Sequence, residues 1–187
     1  MINKIPKDVY YLKIAETVAI KSRCLSVSFG CIIVKDDEII STGYVGAPRK
    51  TMDCVELGYC IRRKKQVKSG TGYEMCRSVH AEMNAIINAA RAGTSLLGAD
   101  LFLFTSKREG DDLVKVSAYP CLLCKKMIIN AGINRFVGND ADGNPKVYQV
   151  EDWVKDWQTL EDLTNDKDQY FITYENKDNN KSCVRES

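Results

Sequence analysis

Two runs of the sequence are short, apolar and rich in β-branched or aromatic residues. They are Phe29-Gly30-Cys31-Ile32-Ile33-Val34 and Asp100-Leu101-Phe102-Leu103-Phe104-Thr105. Both are far too short to cross a bilayer, so they read as strands buried inside a fold. Around them the apolar spacing becomes helical. Val9, Leu12, Ile14, Val18 and Ile20 predict a helix over about 7–22. A turn at Lys35-Asp36-Asp37-Glu38 folds the first strand onto a hairpin partner at 39–44. A second helix runs from Val79 to a stop at Gly93, and a third from Pro120-Cys121 to Ala131-Gly132. Residues 113–117 form a short hairpin arm and 133–138 a fourth strand, followed by a polar stretch at 139–146. Val150, Trp153, Val154, Trp157, Leu160 and Leu163 mark an amphipathic helix, 170–174 a final strand, and 176–187 a solvated tail. Strands alternating with helices after an initial hairpin predict an α/β fold, a three-layer α-β-α sandwich with helices on both faces of the sheet.

The chain has 187 residues, 44% of them hydrophobic and 28% charged. That suits one domain over 1–175, with a cysteine-rich insertion at about 45–78 where periodicity is lost. The balance of 27 basic against 25 acidic residues gives a net charge of +2, too small for binding nucleic acid through the overall field. The N-terminus has no apolar signal core, so a cytoplasmic location is expected. Eight cysteines without an export signal point to metal or catalysis rather than a disulfide framework.

There is one histidine in the chain, in His80-Ala81-Glu82 at the start of the second helix. Pro120-Cys121-Leu122-Leu123-Cys124 opens the third. His-x-Glu followed by Pro-Cys-x-x-Cys is an established signature of zinc nucleobase deaminases. The physical reasons are independent of the label. Cys121 and Cys124 lie about 60° apart around a helix and can reach one tetrahedral ion. Both groups sit at helix N-termini, where the dipole favours thiolate. With His80 they supply three ligands and leave a fourth position for water, whose pKa zinc lowers to about 7. Glu82 is about 200° from His80 on an ideal helix, so it serves as a proton shuttle only if the helix end faces the metal.

The sequence resembles the deoxycytidylate (dCMP) deaminases, in the subgroup that includes the bacterial late-competence ComE-operon deaminase-like proteins. The resemblance rests on Gly30-Cys31-Ile32-Ile33-Val34-Lys35, Gly43-Tyr44-Val45-Gly46-Ala47-Pro48, His80-Ala81-Glu82-Met83-Asn84-Ala85-Ile86, Tyr119-Pro120-Cys121-Leu122-Leu123-Cys124 and Ala131-Gly132-Ile133. It implies a mixed five-stranded sheet between helices and a homo-oligomer, commonly a hexamer. It implies His80, Cys121 and Cys124 as zinc ligands, Glu82 as proton carrier and Asn84 as the contact to a sugar hydroxyl. Ser117 and Tyr119 fall in the pocket-lining stretch. The implied reaction is hydrolysis of dCMP to dUMP and ammonia. Two departures stand out: Val45 replaces the Asn of a Gly-Tyr-Asn-Gly stretch associated with nucleotide contacts and dCTP activation, and 107–116 reads as an insertion.

Cys24, Cys54, Cys60 and Cys76 surround the irregular segment. Their spacing is not that of a standard zinc finger, and the residues alone leave a metal site and unrelated buried thiols open. The resemblance suggests a second, structural zinc held by these four. Cys31 reads as a core residue. The basic run Arg62-Arg63-Lys64-Lys65, with Lys68, reads as a solvated face or as a phosphate contact. Deamination of a polynucleotide, such as tRNA adenosine or single-stranded cytosine, and a non-catalytic zinc protein of DNA uptake are the competing functions. An intact Glu82 argues against the latter. A different cytosine compound is a further variant of the same chemistry.

Overall fold

The computed structural model describes residues 4–68, 71–110 and 112–156. In chain order the elements are α1 (Lys7–Ala19), β1 (Val27–Lys35), β2 (Glu38–Tyr44), α2 (Cys54–Leu57), α3 (Ile61–Lys64), a 3-10 turn (Tyr73–Met75) and α4 (Ala81–Arg91). These are followed by β3 (Asp100–Glu109), β4 (Asp112–Lys115), α5 (Leu122–Asn130), β5 (Arg135–Asn139), β6 (Pro145–Gln149) and α6 (Val150–Asp156).

The strands form one mixed sheet in the order β2-β1-β3-β5-β6, with β4 paired to the far end of β3. β3 and β5 are parallel and every other pairing is antiparallel. Side chains of a strand alternate between faces, and here both faces are covered. Cys31, Ile33, Leu101, Leu103 and Phe136 pack under α4, α5 and α6 against Ala81, Ala85, Ala89, Ile128 and Trp153. Ile32, Val34, Phe102, Phe104 and Val137 pack under α1 against Tyr11, Leu12, Ala15 and Ala19. Two-sided burial is why β1 and β3 read as unbroken apolar runs. The expected three-layer arrangement is therefore observed.

The sheet has six strands among the described residues, not the five expected. The added β6 lies partly in the stretch read as a polar loop. It is an edge strand with Lys146, Val147 and Gln149 exposed, so it carries no apolar alternation to betray it. The insertion at 107–116 extends β3 and returns as β4, an exposed hairpin. Trp153 belongs to the core. Trp157, Leu160, Leu163, the strand expected at 170–174 and the tail lie outside the described residues.

Topology fixes where the site can be. β2 and β3 both run antiparallel to β1 and hence parallel to each other, and β3 is parallel to β5. α4 comes after β2 and the irregular segment, and α5 after the β3–β4 hairpin, on the same face, so both helices begin at the carboxyl edge of the sheet. Such an edge is where open α/β sheets place ligands. α4 approaches β2 very closely at Gly43, where a Cβ would lie 2.2 Å from the Ala81 carbonyl oxygen and 2.4 Å from the Ala85 nitrogen. Gly43→Ala is therefore expected to push the first turn of α4 outward and to cost about 1–3 kcal/mol. Urea unfolding of the variant would measure the loss, with weakened zinc retention as the companion sign, because Ala81 sits between His80 and Glu82.

Candidate active site

His80 is the N-cap of α4 and has an extended backbone, so its imidazole leaves the helix end rather than its flank. The preceding residue is pinned by an antiparallel bridge, Val79 N–H to the Gly46 carbonyl at 2.8 Å and Gly46 N–H to the Val79 carbonyl at 3.3 Å. Cys121 is the N-cap of α5, and its Sγ accepts from the Cys124 N–H at 3.4 Å. Pro120 just before it is fully buried and presets the entry to the helix. The helix itself starts at Leu122, two residues later than the sequence suggests.

These two helix ends bring three ligand atoms together. His80 Nδ1 lies 3.4 Å from Cys121 Sγ and 3.4 Å from Cys124 Sγ. All three lie within 4.8 Å of one another, the one such group of His, Cys, Asp or Glu among the described residues. The edge of a tetrahedron with zinc bonds of 2.0–2.3 Å is about 3.5 Å, so the spacing and the N/S/S donor set fit zinc with one position left open. Cys121 is held well below the ordinary thiol range, first by the hydrogen bond from the Cys124 thiol and then by His80, against the effect of burial. The same bond raises Cys124, which is also buried. A divalent cation bound here favours the thiolate form of both cysteines.

Glu82 occupies the first turn of α4 and is 3% exposed. Burial raises its pKa, opposed by the positive charge of His80, and its carboxylate is hydrogen-bonded to the Cys124 thiol. Cys31 lies beneath it on β1, and its thiol is pushed up by burial and then by the Glu82 charge. The condition set by the 200° angle is met: the helix end faces the ligands and carries the acid beside them.

The remaining candidates divide. Asn84 is half-buried one turn into α4, and its Nδ2 donates to the Tyr44 carbonyl at 2.8 Å at the end of β2. Val45, the departure from the family pattern, is buried; its N–H donates to the Phe29 carbonyl. Ser117 is exposed on the approach to Cys121. Tyr119 packs its ring into an aromatic group, 5.1 Å from Tyr148 and 5.9 Å from Trp153, with the Lys125 ammonium 4.5 Å above it. Cys24 and Cys54 are buried and Cys60 and Cys76 half-buried. After burial itself, the neighbouring thiols of Cys24, Cys60 and Cys76 push the Cys54 thiol up. They are not drawn as close as the His80 group.

One contact was not foreseen from the sequence. Tyr73 stands edge-on to the His80 ring, centroids 5.2 Å apart, and the Arg62 guanidinium lies 4.8 Å over Tyr73. Arg62 is also bonded to the carbonyls of Lys68 and Thr71. The first residue of the basic run therefore turns inward and braces a metal ligand, while Arg63, Lys64, Lys65 and Lys68 are exposed. No periodicity in the irregular segment marks Tyr73 as special.

Residues 5–139 match the family model described as the cytidine and deoxycytidylate deaminase zinc-binding region, and the chain belongs to that family. It is 33% identical over 135 residues to the deoxycytidylate deaminase of Mycobacterium phage D29, covering 70% of this chain and 91% of that one. It is 30% identical over 131 residues to the deoxycytidylate deaminase of Schizosaccharomyces pombe, covering 70% of this chain but 36% of the yeast protein. ComE operon protein 2 of Bacillus subtilis is 30% identical over 130 residues, covering 70% of this chain and 57% of its own length. The chain thus spans little more than a third of the yeast relative and over half of the Bacillus one. Among solved structures, the dCMP deaminase of cyanophage S-TIM5 superposes with a TM-score of 0.50 at 26% identity, covering 71% of this chain and 81% of that one.

Zinc is the family's metal, and the three ligands found here account for it. Substituting cobalt for zinc is expected to produce a thiolate-to-metal charge-transfer band that Cys121→Ser and Cys124→Ser each weaken, because each removes one of two thiolates. A band of undiminished intensity in the Cys124 variant would remove that residue from the site.

Proposed function

We propose that this chain is a zinc-dependent hydrolase that deaminates dCMP to dUMP and ammonia in pyrimidine deoxynucleotide metabolism. The observation that carries the reading is the buried Glu82 carboxyl beside the His80–Cys121–Cys124 group, within a chain of this deaminase family. Its relatives in phage D29 and fission yeast bear the name of that activity.

When bound by these three ligands, zinc supplies a Lewis acid that makes a water molecule nucleophilic near neutral pH. The protein's part is proton transfer and orientation. Glu82 takes a proton from the attacking water and delivers it to ring N3 as the new C4–O bond forms. It then carries the second proton to the exocyclic amine, the C4–N bond breaks, and ammonia leaves as C4 becomes a carbonyl. Burial suits Glu82 to this work because it raises the carboxyl pKa and so helps it hold the proton between the two transfers. Asn84 is assigned to the sugar hydroxyl, and Ser117 and Tyr119 to the substrate side of the segment before Cys121. Buried Val45 removes an amide from the stretch linked to nucleotide regulation, so a weakened response to dCTP follows.

The same reading assigns Cys24, Cys54, Cys60 and Cys76 to a second, structural zinc that holds a segment with little core of its own. It also places the protein in the cytoplasm as a homo-oligomer. Exposed Met52, Tyr59, Ile87 and Leu123 offer apolar surface for self-association.

Ammonia release from dCMP, with deoxycytidine, CMP, tRNA and single-stranded DNA in parallel, tests the substrate. Turnover of dCMP alone is the expected result, and turnover of a polynucleotide instead would overturn the reading. Glu82→Gln is expected to lower kcat about 10²–10⁴-fold with zinc content unchanged. Cys54→Ala is expected to reduce zinc from two per chain to one, measured by elemental analysis; two in both proteins would dismiss the four-cysteine site.

A further inference from the structure

Asn139, the last residue of β5, is 1% exposed, and neither proton transfer nor metal ligation involves it. Buried side-chain amides are costly unless paired, and this one is fully used. Its Oδ1 accepts from the Thr105 N–H at 2.8 Å. The two hydrogens on its Nδ2 face three carbonyls, those of Val116 at 2.9 Å, Asp140 at 2.9 Å and Thr105 at 3.3 Å, so one hydrogen is shared. Its own backbone carbonyl accepts from the Ala118 N–H at 2.7 Å.

The placement matters more than the number of bonds. The parallel ladder between β3 and β5 ends at Leu103 opposite Gly138. Immediately beyond, the carboxamide bonds both the N–H and the C=O of Thr105, as a backbone peptide of a continuing ladder would. The backbone of β5 is thereby released from β3, and its carbonyl turns to Ala118. The segment 116–118 is seated across this opening: the Asn139 side chain bonds the Val116 carbonyl, the Val116 N–H donates to the Thr105 carbonyl at 3.3 Å, and the Asn139 main chain holds Ala118. Gly138 leaves the room: a Cβ there would lie 2.3 Å from the Ala118 carbonyl oxygen. Three residues beyond Ala118 the chain reaches Cys121.

We infer that Asn139 is a positioning residue for the metal centre and its substrate side, acting through the 116–120 segment that delivers Cys121. Its carboxamide substitutes for the missing rungs of the sheet, and so sets the angle and depth at which that segment enters α5. The inference rests on the deaminase reading only where it concerns substrate, since the seating of Cys121 stands on geometry alone. Groups that orient a ligand from outside the coordination sphere typically change metal affinity or activity by about 10–100-fold.

The test uses the full chain, zinc-loaded, as Asn139→Ala and the milder Asn139→Ser, whose hydroxyl keeps one of the bonds. Zinc transfer to a chromogenic chelator is expected to accelerate about tenfold or more in the alanine variant and less in the serine variant. Hydrogen exchange is expected to speed up at the Thr105 and Ala118 amides while the β1–β3 ladder around Ile32 and Phe102 stays protected. With dCMP, KM is expected to rise more than kcat falls. Unchanged zinc release together with unchanged protection at Ala118 would overturn the inference. So would loss of protection across the whole sheet, or failure of both variants to fold, since Asn139 would then be a general structural residue. If the native protein leaves dCMP untouched, the substrate reading fails, yet zinc release and exchange still decide the role of Asn139.

Discussion

The site depends on two helices beginning at the same edge of one sheet. Because β2, β3 and β5 share a direction, helices that return across the face must start at their common carboxyl edge. α4 and α5 do so side by side, and each is opened by a metal ligand in the N-cap position. The partial positive charge of the two helix ends, with N–H groups pointing outward, favours the anionic forms of the thiols there, each by up to about 2 kcal/mol where the site is partly buried. The Cys124 N–H bonded to Cys121 Sγ is one such group put to use. Small residues make the approach possible: Ala81, Ala85 and Ala89 face the sheet, and Gly43 leaves room for the α4 backbone.

Burial of an acid beside this positive edge sets up the chemistry. Glu82 is shut away from water on the same turn as a metal ligand, and its environment opposes ionisation where the helix end and His80 favour it. A carboxyl held between these tendencies is suited to passing protons. Its confinement comes from below as well as beside, since Cys31 of β1 occupies the layer beneath it. The irregular segment closes the other side. It contributes little to the main core, yet it is tied to the rest by the Arg23–Asp53 ion pair at 2.5 Å and the Gly46–Val79 bridge. Through Tyr73 it touches the imidazole directly. A segment held by point contacts of this kind gains most from a structural ion.

What could be read in the sequence follows from how local each signal is. The His-x-Glu and Cys-x-x-Cys spacings are short-range, and each group sits where a helix signal begins, so the ligands and the acid were legible. The buried strands were legible because two-sided burial leaves no polar alternation. β6 was not, because an exposed edge strand has no apolar pattern. Tyr73 and Arg62 were hidden in a stretch without period, and Arg62 was grouped with exposed neighbours whose charge it shares but whose direction it does not. Asn139 sat at the head of a polar run and looked like the start of a loop, although its carboxamide is among the best-paired in the molecule. Tyr119 was legible as a neighbour of the ligands, but its ring direction was not, and it joins Phe136, Tyr148 and Trp153.

The sequence by itself determined the layered α/β class and a His/Cys/Cys group whose spacing suits zinc, because hydrophobic period and ligand spacing act over a few residues. Only the tertiary structure decided that the helix ends converge, that Glu82 is sealed, and that a side-chain amide closes the end of a ladder. Those outcomes depend on which strands become neighbours and in which direction they run, and that is set by packing between residues far apart in the chain.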